Sequence, residues 1–181
     1  MRIISGSRRG KILATPSDER VRPTTDRARE ALFSIIQSKF DSDLQNCDVL
    51  DIFSGTGAFG LEAASRGAKS VTFVDVNLRL TEKNAKLCGF DNLSFIKKDA
   101  RFLPQARKKY DLIFLDAPYN MGLSVPTLEN LLVREYVGKD TLVIVETAKD
   151  EVLESPFSLE LIDERTYGAA RFRFFMLSHN A

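Results

Sequence analysis

Asp116-Ala117-Pro118-Tyr119 sets an acid, a stiff turn and an aromatic ring directly after the apolar run Leu112-Ile113-Phe114-Leu115. Such a run reads as a central parallel strand buried on both faces, and the C-terminal strand edge of an open α/β sheet is where ligands bind. Asp116 can accept one N–H of an exocyclic amine, the carbonyl of Ala117 can accept the other, and Tyr119 can stack on a flat ring. The same four residues would also make an ordinary capped turn with a packed aromatic.

A second constellation lies upstream. Val49-Leu50-Asp51-Ile52-Phe53 runs into Ser54-Gly55-Thr56-Gly57, and Ala58-Phe59-Gly60-Leu61-Glu62 then reads as the start of a helix. Strand, glycine turn and helix build a ligand site above the first strand of an α/β domain, with free helix-start N–H groups facing it. Gly55, Gly57 and Gly60 match the spacing of a dinucleotide loop, so the glycines alone do not choose a ligand. Asp51 does, because a carboxylate facing the turn repels a pyrophosphate and suits a cationic ligand that carries no phosphate. S-adenosylmethionine (SAM), with a sulfonium, an α-amino group and an adenosine, has that chemistry. Asp51, Phe53, Ser54, Gly55, Thr56 and Gly57 are its candidate contacts, with a dinucleotide site or a tight βα turn that binds nothing as the alternatives.

Two further acids end apolar runs. Asp75 follows Ser70–Val74, about 20 residues past the glycine turn, where a carboxylate can accept both ribose hydroxyls of an adenosine. Asp99, followed by Ala100, ends the run beginning at Leu93 and can accept the adenine amino group. Either acid could instead cap a following helix.

The elements that must position these groups follow from periodicity. Ala28, Ala31, Leu32, Ile35 and Ile36 make a helical stripe from Asp26 to about Lys39, capped by Thr24 or Thr25 behind Pro23. Strands are expected from about Asp48, at Ser70–Val74, Leu93–Ile96, Leu112–Leu115 and Thr141–Glu146. Helices are expected from the glycine turn to about Arg66, over Leu78–Leu87, Phe102–Lys108 and Val125–Val133. Phe157–Arg165 and Arg171–Leu177, around Tyr167-Gly168-Ala169-Ala170, read as a closing antiparallel hairpin.

At 181 residues, one domain with a small appendage is expected. No apolar run approaches the roughly 20 residues needed to span a bilayer. The opening Met1-Arg2-Ile3-Ile4-Ser5-Gly6 lacks a signal-peptide apolar core. Cys47 and Cys88 are lone cysteines, expected reduced and buried, which fits the cytoplasm. A single histidine, His179, and two cysteines make a catalytic metal or a His-based nucleophile system improbable. The net charge of +1 is uneven, with residues 1–30 carrying +4 and the remainder −3. Ile3-Ile4 and Ile12-Leu13 flank a Gly-bounded basic turn, a pattern for a small β-hairpin presenting Arg8, Arg9 and Lys11. Arg22, Arg27 and Arg29 follow near the first helix start. These six are the candidate contacts to a nucleic-acid backbone, although salt bridging to Asp26 and Glu30 or simple solvation would also account for them.

Taken together, the chain resembles the RsmD-like family of bacterial small-subunit rRNA guanine-N2 methyltransferases over nearly its whole length. The resemblance rests on the Arg-rich opening through Gly10, on Arg22-Pro23-Thr24-Thr25-Asp26-Arg27 with Arg29-Glu30, on Asp51-x-Phe53-x-Gly55-x-Gly57, and on Asp75 and Asp99. It implies a Rossmann-like SAM-dependent methyltransferase fold of the α/β class. That fold is a seven-strand, mostly parallel sheet closed by the C-terminal antiparallel hairpin, with helices on both faces. A basic extension at residues 1–23 would precede the methyltransferase domain at 24–181. The implied reaction is methylation of one guanine N2 in 16S rRNA, on the small ribosomal subunit or an assembly intermediate, by a cytoplasmic enzyme expected to be a monomer. Asp116, Ala117, Pro118 and Tyr119 would be its catalytic loop. The family usually carries Asp-Pro-Pro-Tyr/Phe there. Ala117 keeps the carbonyl and still precedes a proline, but the fixed φ of the first proline is lost. A SAM enzyme acting on another amino-bearing substrate, or a non-catalytic RNA-binding assembly factor, are the competing readings.

Overall fold

The computed structural model describes residues 1–16, 25–40, 44–154, 156 and 158–178. The strands are β1 (Asp48–Ile52), β2 (Ser70–Asp75), β3 (Leu93–Lys97), β4 (Tyr110–Asp116), β5 (Val137–Ala148), β6 (Leu159–Tyr167) and β7 (Ala170–Leu177). The helices are α1 (Asp26–Lys39), α2 (Ala58–Ser65), α3 (Arg79–Cys88) and α4 (Ser124–Val133). One seven-stranded sheet runs β3-β2-β1-β4-β5-β7-β6. Strands β1 to β5 pair in parallel, and β7 inserts antiparallel between β5 and β6. This is the Rossmann-like α/β sheet with a closing hairpin that the apolar runs and the family resemblance imply.

Alternating strand residues feed two cores. Val49, Phe73, Leu112, Phe114 and Ile144 pack with α1, α2 and α3 on one face. Leu50, Ile52, Ile113, Leu115 and Val143 pack with α4 on the other. Continuous apolar runs such as Leu112–Leu115 are therefore buried on both sides, as expected of central parallel strands. The order of the sheet reverses beside β1, whose neighbours are β2 and β4, so their C-terminal ends flank a single crevice.

One expected helix is absent. Phe102–Lys108 is a single 3-10 turn, Ala100–Phe102, followed by irregular chain. Pro104 accounts for it, because the residue before a proline is pushed out of the helical region, and Leu103 is extended at φ −66°, ψ 145°.

The N-terminal segment is built onto the body. Arg2 and Ile12 form one antiparallel bridge, with a 3-10 turn at Gly6–Arg8 between them. Ile3 and Leu13 are buried in the core. Glu62 of α2, fully buried, accepts N–H bonds from Ile4 at 2.7 Å and Ser5 at 3.0 Å, and Arg66 Nε at 2.8 Å. A buried charge of this kind is stable only when so fully hydrogen-bonded.

Candidate active site

The glycine turn between β1 and α2 is held from beneath by α3. Thr81 donates its hydroxyl to the Gly55 carbonyl at 2.8 Å, and Asn84 Nδ2 donates to the Thr56 carbonyl at 2.9 Å. Both side chains are fully buried. Gly57 adopts φ 76°, and a Cβ there would sit 2.9 Å from Thr81 Cγ2. Gly60 permits closer contact still, since a Cβ would fall 2.4 Å from Phe73 Cε1, so α2 lies directly on β2. Phe53 is held at φ 59°, a left-handed conformation costly for a bulky residue and of the sort found at ligand sites.

Asp51 is 2% exposed, and its Oδ2 accepts the Gly60 N–H at 2.9 Å. Burial, reinforced by the charge of Asp75, outweighs that bond and raises its carboxyl pKa to about 8. Asp75 ties the turn to the next loop, accepting Gly55 N–H and Asn77 N–H at 2.9 Å each. Asp99 caps the 3-10 turn through Arg101 N–H at 3.0 Å and pairs with the Arg101 guanidinium at 2.6 Å, which holds its pKa below the ordinary carboxylate value. The capping role considered for Asp99 is thus realised, and lone pairs remain for a further donor.

At the end of β4, Asp116 stands in register with Glu146 of β5. Burial first, then the charges of Glu146 and Asp51, raise the Asp116 pKa well above the ordinary value. The Tyr119 hydroxyl donates to Glu146 Oε1 at 2.7 Å, and burial beside these acids raises its own pKa. Ala117 is buried, its methyl packed in the core on the α4 side. Pro118 and Tyr119 lie at the surface edge of the recess. Sequence reasoning missed Glu146, although it ends an apolar strand at the same sheet edge as Asp116. It also missed Thr81 and Asn84, polar residues on the buried face of α3.

One cavity of about 1280 Å³ joins these parts. Asp51, Phe53, Ser54, Gly55 and Thr56 line its middle, Asp75, Asp99 and Ala100 one flank, and Asp116, Ala117, Pro118 and Tyr119 another. Gly57 stands behind the wall, beginning α2.

The basic candidates divide. Arg9, Lys11 and Arg27 are exposed. Arg8 is also exposed, but its guanidinium is occupied, with Nε donating to the Cys88 carbonyl at 2.7 Å and the group lying 5.2 Å from the Phe90 ring centre. Arg22 lies outside the described residues. Arg29 is corrected by the structure. It is 3% exposed and donates through Nη2 to the Arg2 carbonyl at 2.5 Å and to Asp26 Oδ1 at 3.0 Å. Its place on the buried stripe with Leu32, Phe33 and Ile36 removes it from any phosphate backbone.

Residues 1–176 match the model of the family described as Conserved hypothetical protein 95. The chain belongs to that family, the RsmD family. A Haemophilus influenzae relative named Ribosomal RNA small subunit methyltransferase D is 31% identical over 188 residues, covering 97% of this chain and 93% of the relative. Its Escherichia coli namesake is 31% identical over 180 residues, covering 97% and 89%. A solved structure described as a putative methyltransferase from Escherichia coli superposes with TM-score 0.84 at 30% identity and covers 98% of each chain. Membership agrees with the residues that suggested it. The Asp-Ala-Pro-Tyr loop of this RsmD-family chain follows β4 and lines the cavity.

Proposed function

We propose that this RsmD-family chain is a SAM-dependent methyltransferase that methylates the exocyclic N2 of one guanine in 16S rRNA of the small ribosomal subunit. The observation that carries this reading is one acid-lined cavity that runs from the glycine turn to the Asp116–Tyr119 loop. The β1 and β4 ends are neighbours in the sheet, with Ile52 opposite Leu115, so a ligand on one turn adjoins a ligand on the other. The relatives' names supply the substrate class.

The residues fit a cationic, phosphate-free cofactor. Asp51 is buried and costly to ionise when alone, a cation beside it would favour ionisation, and a phosphate would oppose it. Asp75 and Asp99 would hold the ribose and adenine, and the backbone of Gly55 to Gly57 the sulfonium-bearing chain. Bound there, SAM supplies an electrophilic methyl group. Asp116 and the Ala117 carbonyl orient the two amine hydrogens so that the nitrogen lone pair faces that methyl, and Tyr119 stacks on the base. A base reaches this recess only when turned out of its stack. Positioning and the fixed negative charge at Asp116 supply most of the rate. The amine nitrogen gains the methyl and releases one proton.

A transfer assay with tritium-labelled SAM on free 16S rRNA, small subunits and DNA tests the reading. Label in rRNA or subunits, recovered as N2-methylguanosine, is expected. Label on DNA alone would overturn the substrate, and absence of SAM binding by calorimetry would leave an RNA-binding assembly factor.

A further inference from the structure

Arg29 lines the same cavity, and the reaction above has no use for it. Its side chain is almost wholly buried, and among the described residues Nε and Nη1 have no hydrogen-bond partner. Leaving donors of a buried cation unmet costs more than leaving a neutral amide unmet. The surrounding charges do not balance it. Asp26 is shared with Arg2 at 3.7 Å, and Glu62 is matched by Arg66 at 2.8 Å. Among the described residues, those two acids and Arg66 are the charged groups that act on Arg29, and there one positive charge is left over. The site is short of one anion.

We propose that Arg29 holds the α-carboxylate of the cofactor's amino-acid tail, an assignment that rests on the SAM reading above. Phe33, one helical turn along α1, stacks on Phe59 at 4.9 Å, and Phe59 stacks on Phe114 of β4 at 4.0 Å. This stack seats the start of α1 beside the first turn of α2, on the far side of the glycine turn from Asp75 and Asp99. Adjacent contacts fix the same order: Thr56 Oγ1 lies 3.5 Å from the Met1 sulfur, and Arg29 binds the next carbonyl, that of Arg2. An adenosine held at Asp75 and Asp99 would send its amino-acid tail across Asp51 toward this end. The ammonium then meets Asp51 and the carboxylate meets Arg29, a zwitterion read by two buried charges of opposite sign. A base carbonyl brings no charge to neutralise the guanidinium.

Calorimetry with S-adenosylhomocysteine and its decarboxylated analogue isolates the carboxylate. The intact chain should prefer S-adenosylhomocysteine by about 10- to 100-fold, the range of one charge-assisted hydrogen bond. Arg29→Gln should bring the two ligands within about twofold of each other, and Arg29→Lys should recover part of the preference. Arg29 also anchors Arg2, so a variant that fails to fold is replaced by a measurement on the wild-type chain. There the Arg29 Nε–H resonance should shift with S-adenosylhomocysteine and stay put with the analogue. Equal binding by the wild-type chain, preference retained in Arg29→Gln, or identical shifts with both ligands would each overturn the assignment. Binding of neither ligand would overturn the SAM reading itself.

Discussion

Asp116 and Glu146 face one another from neighbouring strands, so ionising one raises the cost of ionising the other. In the proposed reaction the ionised form of Asp116 accepts the amine, and its fraction ionised rises with pH. Methyl transfer should therefore climb with pH through a point well above the ordinary carboxylate value of about 3.9. Glu146→Gln removes the like charge, keeps an acceptor for Tyr119, and should move that limb toward lower pH. A limb that stays put in a pH–rate profile would assign it to another group. Asp116→Ala should cut turnover by about a hundredfold or more while SAM affinity measured by calorimetry stays nearly unchanged. Asp51 makes a separate prediction about stability. Between the ordinary value and about 8 its folded carboxyl holds a proton that the unfolded chain has released. Stability therefore falls as pH rises through that window. Asp51→Asn removes this contribution, so thermal melts should show the variant gaining on the wild-type chain from pH 5 to pH 8. Parallel melting curves would contradict the raised pKa.

At the scale of elements, the glycine turn depends on how closely α2 lies against β2. Gly60→Ala would place a methyl 2.4 Å from Phe73 Cε1 and 2.8 Å from Val71 Cγ1, both on a central strand. Overpacking of this kind costs about 1–3 kcal/mol, or a melting temperature lower by about 2–12 °C in a domain of this size. Moving α2 also carries the Gly60 N–H away from Asp51, so cofactor affinity should fall with stability. An unchanged melting temperature would mean that Phe73 rotates aside freely. The elements themselves were largely legible. Apolar runs bounded by acids and glycines marked β1 to β4, and Thr25, one of the two caps the sequence allows, caps α1. The short helix after Asp99 was misread because the count of apolar residues ignored what Pro104 does to Leu103. Arg29 was misread for a related reason. A stripe of apolar residues alone leaves it out, whereas Arg29, Leu32, Phe33 and Ile36 share one buried face. A charged residue at a stripe position is the signal that sequence reading should have weighed.

Across the whole molecule, the uneven charge has a structural counterpart. Arg9 and Lys11 project from the N-terminal segment, and Glu62 fixes that segment to α2, the helix that opens from the glycine turn. The glycine turn and this basic segment thus share one support. The doubly substituted Arg9→Ala, Lys11→Ala chain should bind 16S rRNA more weakly. The slope of log affinity against log salt should shrink by about 1.4 if each side chain meets one phosphate of single-stranded RNA. Filter binding over a salt series reads this, and an unchanged slope would discard the basic surface as the RNA contact. The motifs imply a substrate class only through the family resemblance, and a target position depends on an RNA surface that lies outside this sequence.

The most direct measurement is nucleoside mass spectrometry of 16S rRNA from cells lacking this protein. The account predicts the loss of one N2-methylguanosine, restored by the wild-type chain and not by Asp116→Ala. An unchanged N2-methylguanosine content would contradict it.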